Sequence, residues 1–181
     1  MGDFLINFGK SLGQLDLTTP SWDVFILLFF LVGVFLYGIA LGRNRVILIL
    51  LSLYFALALY EVSSLIRGIG AALLGGNPLT PLITFFVLFL ATFFVVGQSG
   101  AAKSLASDQM GSFFQTIIFS VFQVGLTISV GMMLLPPEMQ ERFSPVLRQI
   151  FIEQYGQALW LILPILGLLI TRSKGVGVQQ T

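Results

Sequence analysis

The chain has 181 residues, 56% of them hydrophobic and only 9% charged, with a mean hydropathy of +0.97. Soluble domains carry about a quarter charged residues, so a fold this apolar needs lipid as part of its solvent. The net charge of +1 excludes a basic nucleic-acid platform, and the lack of cysteine and histidine removes thiolate chemistry, disulfides, the commonest metal ligand and the commonest general base.

Residues 1–19 place Phe4, Leu5, Phe8, Leu12 and Leu15 at roughly helical spacing, which predicts a short amphipathic segment at the membrane interface. Thr19-Pro20 then offers a cap and a proline for a first helical turn, and Trp22 an interfacial anchor. The first apolar run, 21–42, supplies the 20 or so residues that a hydrocarbon core about 30 Å thick requires. Asp3, Asp16 and Asp23 before it, with Arg43 and Arg45 after it, read as a retained helix and not as a secretory leader. The tight Gly42-Arg43-Asn44-Arg45 connection sends the second run, 46–66, back antiparallel, with Glu61 near its far end.

Residues 67–78 are rich in glycine and small side chains and read as a loop. Thr80-Pro81 repeats the cap-and-proline signature for a third run, 79–96, and 97–111 is a second connection. Ser112 and Gln115 match a capping box and open a fourth run, 112–135, which Pro136-Pro137 stops. The stretch 136–157 is expected to be the largest exposed element and the docking surface. Within it Ser144-Pro145 starts an amphipathic approach to a fifth apolar run, 155–171, which Pro164 interrupts. That run reads as a span, with a re-entrant segment as the alternative; a polar tail follows over 172–181. The expected fold is therefore an all-α polytopic bundle over 20–171 with about five membrane helices. With five spans, one side carries Arg43, Arg45, Lys103, Arg172 and Lys174, the other Lys10, Arg67, Arg142 and Arg148. The first set crowds the helix ends, which predicts the N-terminus out and the C-terminus in.

The fourth run holds the clearest polar pattern. Ser112, Thr116, Ser120, Gln123 and Thr127 recur every three or four residues and fall within about 80° of one another on a helix. Such a stripe either holds the helix against its neighbours or lines a hydrated path, and both uses turn it inward. Phe114, Ile118, Val121, Ile128 and Met132 take the opposite side. Glu61 is a candidate intramembrane charge, weighed against a carboxylate wetted at the interface beside Arg67. Asp23 suits the positive end of a helix dipole. Gly38 and Gly42 have the spacing of a close helix–helix contact. The arginine pair 43 and 45 serves orientation, as do Arg172 and Lys174. No catalytic motif emerges and no cofactor or metal is implied.

The stretch from Trp22-Asp23 through Gly38, Gly42 and Arg43-Asn44-Arg45 resembles the opening of the colicin V production protein family, over roughly residues 22–60. The resemblance implies a small bacterial inner-membrane protein with a non-enzymatic role related to secretion or the envelope. The expectation is a scaffold or accessory subunit whose partners are the bilayer, other membrane proteins or further copies of itself. A small oligomeric channel or transporter component is the alternative.

Overall fold

In a computed structural model the described residues are 22–40, 42–99 and 113–172. The predicted interfacial segment 1–19, Ser112, Lys103, Lys174 and most of the polar tail lie outside them, as do the side chains of Gly42, Arg43 and Arg172. Eight helices follow in order: α1 Trp22–Ala40, α2 Gly42–Val62, α3 Ser64–Leu74, α4 Thr80–Gln98, α5 Phe113–Met133, α6 Pro137–Gln140, α7 Pro145–Phe151 and α8 Gln154–Arg172. No strand occurs among the described residues.

These runs become helices because apolar side chains surround them. In lipid every main-chain donor and acceptor must be met within the chain, which a helix does locally. The all-helical membrane bundle is as expected. Among the described residues three helices, or four with a bent pair counted as one, are long and apolar enough to span, against the five expected over the whole chain. Asn44–Val62, Thr80–Gln98 and Phe113–Met133 are long and apolar enough to cross a membrane. Pro145–Phe151 and Gln154–Leu169, bent by 42°, make a fourth if taken as one broken span. In α1 the described apolar stretch, Trp22–Gly38, is shorter than these.

α2 with α4, α1 with α5 and α8 with α5 pack antiparallel, and residue pairs fix the register. Thr92 of α4 meets Ser52 of α2, and Phe85 meets Tyr60. Gly33 of α1 lies against Val124 of α5, and Gly38 against Ile117 and Ser120. Trp160 of α8 covers Gly125 of α5, while Gly167 meets Phe122. α5 is therefore the hub, buried between α1, α2, α7 and α8. One core cluster joins Val46, Leu50, Leu53, Phe85, Phe119 and Val130 across α2, α4 and α5. A second joins Val124, Ile128, Met132, Phe143, Leu147 and Phe151, with Phe30 of α1 packed on it. The outer faces of α1 and α4, including Phe25, Phe35 and Phe94, are exposed apolar surface suited to lipid.

Four local expectations are corrected. The glycine-rich 67–78 stretch is not all loop: Ser63 accepts from the Ile66 amide and starts α3, and Gly75 in the left-handed conformation (φ 62°) ends it. The second run accordingly ends at Val62 instead of continuing to 66. Thr80 is the first residue of α4 and not its cap; Leu79 holds that place, and its amide donates to the Asn77 side chain. The 136–157 stretch is exposed only in part: Phe143, Val146, Leu147 and Phe151 are buried, while Glu138, Glu141, Arg142 and Glu153 are exposed. The predicted Ser144-Pro145 start holds, with Ser144 accepting from the Leu147 amide.

Candidate functional site

α5 carries the polar stripe through the centre of the bundle. Thr116, Ser120 and Gln123 are at most 5% exposed, whereas Thr127, one turn on, is exposed. On this stripe Ser120 lies beside Gly38 of α1. The stripe's hydroxyls turn back onto their own helix: Ser120 donates to the Thr116 carbonyl and Thr127 to the Gln123 carbonyl, both at 2.8 Å. That is the ordinary way for a hydroxyl to satisfy itself inside an apolar helix. The Gln123 side-chain oxygen is buried without a donor. The expected outward side divides: Phe114 and Ile118 are exposed, but Ile128 and Met132 are buried because α1 and α7 pack there.

Hydrogen bonds that do cross between elements come from residues outside the stripe. The Tyr54 hydroxyl of α2 donates to the Leu161 carbonyl of α8 at 2.7 Å, within the turn that Pro164 disturbs. Thr92 donates to the carbonyl of Ser52 at 3.1 Å and to that of Phe89 at 2.9 Å. Where α7 gives way to α8, Ser129 of α5 donates to the Phe151 carbonyl at 2.6 Å. The Trp160 indole donates to the Ile150 carbonyl at 3.0 Å, with its ring stacked on Phe151 at 5.5 Å and edge-on to Phe30. Carbonyls released at a helix break are the groups that bind ions in broken-helix transporters. Here two of them are occupied by the chain's own donors.

Packing explains why small residues flank this break. A Cβ on Gly125 would overlap the Trp160 ring, and one on Gly156 would overlap the Gln149 and Ile150 carbonyl oxygens. Gln140 closes the end of α5 by donating to the Met133 and Leu135 carbonyls, and the Gln157 amide donates to the Met133 sulfur. Asp23 reaches across the molecule, its carboxylate accepting from the Ser144 amide at 3.0 Å just before α7. Trp22 packs edge-on against Phe143 beside it.

The remaining predicted residues are dispersed. Glu61 is exposed, one residue before the end of α2. Arg67 donates to the main-chain carbonyls of Tyr60 and Glu61 at 2.7 and 2.6 Å and lies over the Tyr60 ring. Gly38 packs against α5, with Gly33 as its described companion. Arg45 is exposed near the start of α2. Among the described residues no group of three or more His, Cys, Asp or Glu side chains is arranged to hold a metal ion. Comparison with known protein families, with curated proteins and with solved structures gives no match.

Sequence reasoning had no way to single out Tyr54, Thr92, Ser129 and Trp160. Each is a lone polar atom in an apolar run, without periodicity, and its role depends on which carbonyl the neighbouring helix presents. A tyrosine, serine or tryptophan inside a spanning run is the only signal, and it does not name the partner.

Proposed function

We propose that this chain is a non-enzymatic integral membrane protein that serves as a scaffold or accessory subunit, in the bacterial inner membrane and in secretion or envelope maintenance. The observation that supports this reading is the use of the interior polar groups. Ser120, Ser52, Thr92 and Ser129 all donate to main-chain carbonyls, as groups that hold or satisfy helices do. The clefts between α3 and α4 and between α5 and α8 are lined almost wholly by apolar side chains. The resemblance of residues 22–60 to the colicin V production family points the same way.

Co-purification of the tagged protein from native membranes in mild detergent tests the proposal. Stoichiometric recovery of other membrane proteins is the expected result. A homo-oligomer without partners counts against it.

A second reading, a small channel or transporter component, is favoured by one observation: Gln123 keeps an unpaired buried oxygen one turn from the exposed Thr127. Reconstituted Gln123→Leu and Thr127→Leu variants separate the two. Loss of solute flux in proteins that still assemble supports the channel; altered assembly with no flux to lose supports the scaffold.

A further inference from the structure

The cleft between α3 and α4 has a volume of about 320 Å³ and is lined by Ile66, Gly70, Leu73, Val87, Leu88 and Ala91 among others. A Cβ on Gly70 would overlap Thr84, so the glycine lets α3 approach α4 closely beside the cleft. The surroundings are apolar and outward-facing, with Leu65, Ile69, Leu73, Phe86 and Val87 all more than half exposed. In a chain whose helices cross a membrane, that surface meets hydrocarbon and not water.

Arg67 follows the lining residue Ile66, is exposed, and is held by its bonds to the Tyr60 and Glu61 carbonyls at the end of α2. One guanidinium nitrogen makes both bonds. A guanidinium offers five N–H donors in a planar fork that matches phosphate. It is ordered before any ligand arrives, which lowers the entropy cost of binding. An apolar cleft beside an ordered arginine at a helix end matches a phospholipid, whose acyl chain and phosphate have those two characters. Thr84 and Ala91 are seven residues apart, so α4 offers a chain about 10 Å of cleft.

We propose that the α3–α4 cleft is a phospholipid site, with an acyl chain in the cleft and the headgroup phosphate on Arg67. The site retains a lipid longer than the smooth outer face of α1 does.

The test uses the full chain in phosphatidylcholine vesicles containing a minor fraction of phosphatidylglycerol that carries a diazirine in its acyl chain. After photolysis, labelled peptides are mapped by mass spectrometry. The expected result is labelling denser over residues 66–74 and 83–91 than over the lipid-facing part of α1. Ala91→Phe fills the cleft from an exposed position outside the core, and it should lower cleft labelling to the level of α1. Arg67→Gln should do the same for phosphatidylglycerol, with native mass spectrometry in mild detergent showing loss of the bound lipid. Circular dichroism checks that each variant is folded. Labelling of the cleft no denser than of α1, or unchanged by Ala91→Phe in a folded protein, overturns the proposal. Cross-linking of a second copy of the chain into the cleft, in place of lipid, also overturns it.

Discussion

At the scale of single residues, the molecule depends on a few side chains placed where no substitute fits. Asp23 is one: it stands in the first turn of α1 yet accepts from the Ser144 amide, so one carboxylate serves a helix dipole and a distant helix start. Asp23→Ala should lower unfolding stability by about 1 kcal/mol, the usual cost of losing a cap, read by thermal denaturation in detergent. Glu138→Ala, at an exposed position, is the matched control and should be silent. Gly125 and Gly131 form a sharper pair on the same helix. A methyl at Gly125 meets the Trp160 ring, whereas one at Gly131 meets nothing within 4 Å. Gly125→Ala should destabilise by about 1–3 kcal/mol through overpacking. Gly131→Ala should be neutral or stabilising, since alanine is the better helix former by about 1 kcal/mol. Equal effects from both would mean that Trp160 does not seat against α5 as described.

At the scale of elements, cross-helix hydrogen bonds matter less for their strength than for where they fall. The Tyr54 bond to Leu161 lies beside Pro164, the residue that removes a main-chain donor from α8. Tyr54→Phe keeps the ring and deletes only the hydroxyl, so its effect should be small, about 0.6 kcal/mol by analogy with other interhelical bonds in membranes. Unfolding of the two proteins in mixed micelles measures it. A loss several times larger would show that the hydroxyl holds α8 in place beside Pro164. The α3 helix makes the complementary point. Its glycines suggested a loop because each one weakens a helix by about 1 kcal/mol. Ser63 and Gly75 provide both ends, and Gly70 permits the contact with Thr84, so packing outweighs propensity.

At the scale of the whole molecule, the antiparallel packing fixes which loops share a side. Pro78 and Pro81 line a cleft with Leu135, Pro136 and Glu138, so the start of α4 and the end of α5 lie together. Ser144 joins them through Asp23 at the start of α1. Ser99, just past α4, falls at the other end. The absence of native cysteine makes the arrangement directly testable. Single substitutions Asn77→Cys and Glu138→Cys should react with a membrane-impermeant maleimide from the same side of intact cells, and Ser99→Cys from the opposite side. The arginine and lysine distribution predicts that the first two face outward. Labelling of Asn77→Cys and Glu138→Cys from different sides would contradict the packing; labelling of both from inside would reverse only the orientation.

The sequence by itself determined the class of fold, because apolar runs of spanning length admit little but helices in lipid, and that constraint is local. It also placed the inward stripe at Thr116, Ser120 and Gln123 and the cap at Ser144, each a matter of period or of local pattern along one helix. The tertiary structure alone decided the rest. Thr127 is exposed although Thr116, Ser120 and Gln123 on the same face of its helix are buried, so the neighbours and not the period decide it. Ile128 and Met132 are buried because α7 folds back over α5. Tyr54, Ser129 and Trp160 acquire their partners only when a carbonyl from another helix comes within reach. A helix writes its period into the sequence, but its neighbours are chosen by the sum of many weak contacts spread over the whole chain, and no single segment records that sum.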